Sequence, residues 1–396
     1  MSPDAARDRL LILSFSKLVK DPRILRQIDL LAGDYDVITC GYGPAPAGVI
    51  DHIEVDERLA AWRPNKFLAA SLLLLRRHQR LYFGSARMRL VRGQVALREP
   101  VDIVLANDAL GVPVGVSLAP RKGVHADLHE YAPRQGEKWW WKLLVAPLMD
   151  WSCRRYVPQV ASVTTVARGI ADEYAREYGF HPEVVPNATP YRPEMTPSAP
   201  ADHVRIVHMG LASPSRGVDV MVDAVKLANE RHPGRFTLDL ILVPSVASYH
   251  RMLVERAGDA SVTGVRVLPP VEFGRIVPTL NQYDLGMHIL PPVSFNNYWA
   301  LPNKFFEFVQ ARLGVVIGPS PEMARLVREN DLGVVASGFG AADVAAALEA
   351  VTPEDVARYK AAAAAVAESF DGRRLSEPWV KAIGRLAGGT SATSRS

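Results

Sequence analysis

Two side chains three residues apart, Lys304 and Glu307 in LPNKFFEF, carry the first chemical signal in this 396-residue chain. On a helix that spacing puts them on one face, while Phe305, Phe306, Phe308 and Val309 supply the core side. Asn303 is the expected N-cap. A buried strand over Val315 to Gly318 should follow, then a second helix with Ser320 as N-cap and Pro321 at its first position. An ammonium, a carboxylate and a helix N-terminus beyond a buried strand suit a ribose and a diphosphate. The carboxylate accepts from both ribose hydroxyls, the ammonium offsets phosphate charge, and free N–H groups attract anions. Binding of a nucleotide sugar is the chemistry implied.

Two further segments could act with it. In GLASPSRG (210–217), Gly210 leaves a strand and Arg216 precedes a helix, so the guanidinium could hold a diphosphate at two points; an ordinary turn with a solvated arginine is the alternative. In DLHEY, His129 and Glu130 lie just past a strand, beside Asp127. A histidine there could donate to a sugar hydroxyl, stabilise developing charge at an anomeric carbon, or simply make a structural hydrogen bond. Asp127 could order the loop or act on an acceptor. The ten histidines are scattered and form no zinc signature. There is no G-x-S-x-G elbow, no Walker A loop and no G-x-G-x-x-G after the first strand, which argues against a hydrolase, a P-loop NTPase and a simple dehydrogenase.

These residues need a scaffold of alternating strands and helices. RLLILSFS (9–16), YDVITCGY, a weaker IEVDERL, VDIVLANDA, KGVHADLHE and ASVTTVA read as strands, with a short last strand in PEVVPNA. Asp21 and Pro22 open the first helix. Residues 64–98 read as basic helices, GVPVGVSLA (111–119) as an apolar helix, 137–156 as a tryptophan-rich helix and ARGIADEYAREYG as another. Five prolines within 186–201 mark a linker. A second alternating series follows, with strands at VRIVHMG, FTLDLILVP, VRVLPPV, DLGMHILPP and LGVVAS. Its helices include VDVMVDAVKLANER, 246–258, PTLNQYD and an alanine-rich 355–367. Alternation without hairpin signals implies an α/β protein of two parallel-sheet domains. Ligands in that architecture bind beyond the carboxyl ends of the strands.

The bulk composition agrees. The length calls for two domains of roughly 150–200 residues each, and 48% apolar with 22% charged residues is ordinary for a soluble protein. Cys40 and Cys153 cannot build a disulfide framework and fit a reducing cytoplasm. The start, MSPDAARDR, does not read as a signal peptide, and no apolar run reaches the length of a membrane span. Net charge is only +4, yet Arg58, Arg63, Lys66, Arg76, Arg77, Arg80, Arg87, Arg89, Arg92 and Arg98 fall in a window without Asp or Glu. No nucleic-acid motif accompanies it. Trp62, Phe67, Leu72–Leu75 and, further on, Lys138, Trp139–Trp141 and Lys142 suit an anionic membrane surface; an arginine-rich solvent face is the alternative.

With these residues assembled, the chain resembles the retaining GT-B glycosyltransferases of family 4 (group 1). KDPRILRQIDLL resembles the family's opening, DLHEY its acidic-x-His-Glu loop, VVPNATPY its V-x-P-N exit, GLASPSRGVDVMVDAV its G…[K/R]-G turn and LPNKFFEF its L-P-N-K-x-x-E-[YF] variant. The resemblance implies an acceptor-binding Rossmann-like domain over 1–190, with a crossover helix at 372–388. It implies a donor-binding domain over 191–371 and leaves 389–396 as a disordered tail. It implies catalytic roles for His129, Arg216 and Lys304. Gly210, Arg216, Asn296, Asn297, Asn303, Lys304 and Glu307 would bind the donor, and Ser16, Asp127 and Glu130 would lie on the acceptor side. The implied reaction is metal-independent and needs no cofactor: a sugar passes from a nucleotide-diphosphate sugar to a hydroxyl acceptor with retention, by front-face attack. A cytoplasmic setting is expected, and on the membrane reading of the basic window, contact through 58–98 and 138–142 would be peripheral to the inner face of the plasma membrane. Trp299 stands where many members carry the first Glu of a Glu-x7-Glu pair, and Leu211 follows Gly210 in place of arginine. An epimerase, a phosphorylase or a non-catalytic nucleotide-sugar-binding subunit shares the architecture.

Overall fold

A computed structural model describes residues 7–59, 65–199 and 201–388. Trp62 and Arg63 of the basic window, Pro200 of the linker and the tail 389–396 lie outside the described residues. The chain divides into two units. The first takes the described residues up to Val185 together with those from Ser376 onward; the second is Pro186–Leu375.

The first unit holds seven parallel strands: β1 (Arg9–Lys17), β2 (Asp36–Tyr42), β3 (Asp51–Glu54), β4 (Ile103–Asn107), β5 (Gly123–Leu128), β6 (Ser162–Thr165) and β7 (Glu183–Val184), in the order β3-β2-β1-β4-β5-β6-β7. The second holds six: β8 (Val204–Leu211), β9 (Phe236–Val243), β10 (Val265–Leu268), β11 (Leu285–His288), β12 (Gly314–Ile317) and β13 (Gly333–Val335), in the order β10-β9-β8-β11-β12-β13. Helices cover both faces, so central strands such as Leu10–Leu13 and Val315–Ile317 are apolar throughout and fully buried. Strand order reverses between β1 and β4 in one sheet and between β8 and β11 in the other. Loops leaving the carboxyl ends of those strands border the crevice where such sheets bind ligands.

Local chemistry explains most element boundaries. Asp21 caps the helix Pro22–Leu31 by accepting from Arg23 N–H and Ile24 N–H. Gly179, at φ 75°, ends the helix Arg168–Tyr178 in the left-handed conformation. The expected single helix over 137–156 is instead two, Trp139–Leu144 and Ala146–Arg155. Pro147 has no N–H to continue the first and sits in the opening turn of the second. The helix expected at PTLNQYD runs over Ile276–Leu280, because Pro278 is tolerated only in a first turn. The last helix, Glu377–Ala387, returns to the first unit. There Trp379 is wholly buried, its indole N–H donating to Thr164 Oγ1 at 3.1 Å. The proline-rich segment packs into the second unit, with Tyr191 N–H donating to Asp371 and Arg192 N–H to Gln310.

The basic window forms three short helices, Lys66–Leu74, His78–Phe83 and Ala86–Ala96. Arg87 and Arg98 are tied into the fold by their guanidinium groups. Arg87 is buried with its guanidinium over Phe15 and Tyr42, and Arg98 pairs with Asp51 at 2.5 Å.

Candidate functional site

In the second unit the site begins where β8 and β11 end. Gly210 leaves β8 at φ 156°, and a Cβ there would lie 2.6 Å from Lys304 Cε and 2.9 Å from Lys304 Nζ. Only glycine lets the lysine lie across this strand end. The chain then turns through Pro214–Arg216, and Gly217 at φ 60° opens the helix Val218–Arg231. Beyond β11, a short helix at Phe295–Tyr298 is capped by Ser294, whose Oγ accepts from Asn297 N–H. Asn297 donates to Pro291 O at 3.2 Å and, at 3.5 Å, to Ser215 O, tying this loop to the turn that carries Arg216.

The helix Asn303–Gln310 follows. Phe305, Phe306, Phe308 and Val309 are buried in the core, while Lys304 and Glu307 share the other face. Asn303 is not its cap. Pro302 occupies the N-cap position, and Asn303 is the first helical residue. The extended backbone of Pro302, at ψ 159°, places the helix entry one residue earlier than the side-chain chemistry suggested. Ser320 does hold the N-cap position of the helix Pro321–Glu329, with Pro321 first. Its buried hydroxyl has no hydrogen-bond partner.

The electrostatics of this cluster are lopsided. Lys304 is half-buried, and burial together with the neighbouring Arg216 draws its ammonium down to about 8, against the pull of Glu307. Burial raises the Glu307 carboxyl above its usual range, and Lys304 only partly offsets that. Among the described residues, no side-chain hydrogen bond or ion pair joins Lys304, Arg216 or Glu307 to any partner.

Below them lie two histidines that sequence reasoning passed over, His208 on β8 and His288 on β11. Their rings stack at 5.5 Å, and both are fully buried. His208 Nδ1 lies 2.8 Å from Met287 O, so that nitrogen carries the proton. Its Nε2 and both nitrogens of His288 have no partner. Burial and the nearby Lys304 hold His208 at about 3 and His288 well below the usual imidazole range, so both rings are neutral. The result is two unneutralised cations, a buried carboxylate and three bare imidazole nitrogens at one switch point.

The first unit builds a different cluster at its own switch point. Arg23 forks onto Asp127 with contacts of 2.7 and 2.6 Å and donates to Val185 O. Asp127 also accepts from Thr164 and Gln27, and Gln27 exchanges hydrogen bonds with Asn107. Asp127 is fully buried. Its carboxylate is therefore held by groups of the fold on both oxygens. His129 Nε2 lies 3.0 Å from Asn107 Oδ1 and 3.4 Å from Asp127, and Nδ1 lies 3.6 Å from Asp108. Burial disfavours its charged form, yet Asp108 and Asp127 raise it above the usual imidazole value. Asp108 is half exposed and holds a left-handed backbone at φ 61°, a strained position of the kind that clusters at ligand sites. Glu130 is exposed, and its main-chain oxygen accepts from Tyr174. Ser16 donates to Asp21, supporting the first helix cap.

Arg23, Gln27, Asn107, Asp108, His208 and His288 were absent from the sequence-based set. The polar end of VDIVLANDA was the one signal for Asn107 and Asp108; His208 and His288 meet through strand pairing, and Arg23 and Gln27 reach the cluster from the helix Pro22–Leu31 packed on the sheet.

No protein-family model matches the chain, and no curated protein matches it in sequence. Solved structures share its fold. An E. coli trehalose-6-phosphate structure bound with UDP-2-fluoro glucose has a TM-score of 0.70 at 14% identity, over 96% of this chain and 99% of that one. HepE from Anabaena in complex with UDP-glucose gives 0.69 at 15% identity, over 95% and 99%. An α,α-trehalose-phosphate synthase (UDP-forming) from Burkholderia xenovorans in complex with glucose-6-phosphate gives 0.68 at 12% identity, over 96% and 100%. The chain thus has the GT-B fold, two parallel-sheet Rossmann-like units.

Proposed function

We propose that the protein is a glycosyltransferase that takes its sugar from a nucleoside-diphosphate donor held by the second unit. One observation carries this reading: Lys304, Arg216 and Glu307 converge at the β8–β11 switch point with no partner of their own. Two cations without counter-charge await an anion, and a buried carboxylate without a donor awaits hydroxyls. A nucleoside diphosphate supplies both, its diphosphate to Lys304 and Arg216 and its ribose to Glu307. UDP-sugars are the first donors to test, because fold neighbours are bound with UDP-glucose and UDP-2-fluoro glucose.

The remaining assignments belong to the same reading. Asn296, Asn297 and Asn303 border the donor in the second unit, and His129, at the edge of the first unit's own cluster, keeps the catalytic role that the resemblance implies. The acceptor is a hydroxyl on a glycan, a lipid-linked substrate or a small molecule, bound by the first unit near Ser16 and Glu130. Transfer proceeds with retention, the leaving diphosphate taking the acceptor proton, and Lys304 and Arg216 supply the charge stabilisation a divalent ion would otherwise give. The setting is cytoplasmic and membrane-peripheral.

Calorimetry with UDP, ADP and GDP tests the donor half. Acceptor-dependent release of nucleoside diphosphate tests transfer, and the anomeric configuration of the product by NMR tests retention. Donor turnover without any acceptor would favour an epimerase, and tight binding without turnover a non-catalytic subunit.

A further inference from the structure

The helix Lys66–Leu74 covers the first unit with one face and has no reason to be apolar on the other. Its inner side is spent on the core: Ala69 and Leu73 pack with Leu81 and Leu148. Its outer side is nonetheless Phe67, Leu68, Leu74 and Leu75, exposed by 89, 56, 58 and 69%. A covering helix ordinarily turns charge to water; one apolar all round is either buried or set against lipid. The adjoining helix Trp139–Leu144 repeats the pattern. Trp141 is tucked against Gly136, while Trp139, Trp140 and Leu143 stand out at 77, 42 and 47%. Arg76 joins the two helices by donating to Leu143 O.

The charge around this facet is mostly positive. Lys66, Arg76, Arg77, Arg80 and Lys138 are exposed, and none has a carboxylate partner among the described residues; Lys142 is paired with Glu137. Arg76, Arg77 and Arg80 line an open recess with His78 and Trp151, a place where phosphate head groups can sit beside the apolar facet. Arg87 and Arg98, consumed inside the fold, play no part.

We propose that this two-helix facet is an interfacial anchor that inserts into the surface of an anionic bilayer. Phe67, Leu75, Trp139 and Trp140 enter the acyl boundary, and Arg76, Arg77 and Arg80 contact lipid phosphates. Attachment is therefore by insertion as well as charge. It is independent of the nucleotide reading, since none of these residues belongs to the Lys304 cluster.

Flotation of the full chain with phosphatidylcholine vesicles, with and without phosphatidylglycerol, tests it. The expected result is binding to the anionic vesicles that persists in part at high salt, with tryptophan fluorescence quenched by brominated acyl chains. F67Q/L75Q/W139Q should reduce binding at least ~10-fold and abolish quenching, and R76Q/R77Q/R80Q should remove the anionic preference, about fivefold per cation. Both variants should keep the wild-type Tm and UDP affinity, so a failure here leaves the donor site untouched. No flotation at low salt overturns the proposal. So does full release by salt without quenching, or a concentration-dependent dimer in sedimentation velocity that the apolar variant loses, which would make the facet's occupant a second copy.

Discussion

Each unit gathers polar side chains at the switch point of its sheet, but the two clusters are chemically opposite. In the first, Asp127 is met by Arg23, Thr164, Gln27 and His129, and every charge has its complement within the unit. In the second, Lys304, Arg216, Glu307, His208 and His288 lie together with almost nothing to bond to. Burying a polar group without a partner disfavours the fold. The satisfied cluster therefore stabilises its unit and holds a single group, His129, at its edge, whereas the unsatisfied one disfavours its unit's fold.

The comparison breaks most visibly if the first cluster proves dispensable to folding. Arg23→Met leaves Asp127 as a buried carboxylate without its cation, and losing one partner of such a pair costs roughly 3–5 kcal/mol. That corresponds to a fall in the unit's thermal midpoint on the order of 10 °C, readable by calorimetry. Asp127→Ala should fall similarly. A variant with the wild-type midpoint would show that the network is not structural.

The second cluster should respond in the opposite sense. If the proposed donor site is right, Glu307→Ala and Lys304→Ala each remove a charge-assisted contact of about 3 kcal/mol, a loss of roughly 100-fold in kcat/KM. Neither should lower the melting temperature, because neither side chain has a native partner to abandon. A large drop in stability with unchanged UDP affinity would reverse the assignment. His288→Leu sharpens the contrast: two bare buried nitrogens disappear, so stability should rise by about 1 kcal/mol in urea unfolding, while Asn107→Leu in the first unit should lower it.

The site was legible in sequence where it was local. Lys304 and Glu307 could be paired from their spacing alone, and Gly210 and Arg216 from a strand-to-helix turn. The parallel sheets followed from continuous apolar runs such as LLIL and GVVI. What stayed hidden was assembled by strands and a helix that are distant in the chain. His208 and His288 each look like a lone core histidine, and only the β8–β11 pairing stacks them. Arg23 and Asp127 are likewise far apart in the chain. Three consecutive tryptophans gave no sign that only Trp141 would be folded in.

A last effect separates the clusters by pH. In the free protein Lys304 titrates near 8, drawn down by burial and by Arg216, while its remaining neighbours His208 and His288 are neutral and Glu307 pulls upward. A bound diphosphate favours the ammonium, so UDP binding should take up protons near this pH. Affinity should be level around neutrality and weaken progressively above pH 8, by up to ~10-fold per pH unit. The stability sign is opposite. The unfolded lysine holds its proton to a higher pH than the folded one, so this group's contribution to folding stability rises as pH climbs through 8 toward the ordinary lysine value. Lys304→Met should abolish the alkaline loss of UDP affinity by calorimetry, and the same variant should lose the alkaline gain in stability. If the decline above pH 8 survives in Lys304→Met, the titrating group lies elsewhere and Lys304 is not the diphosphate's ammonium.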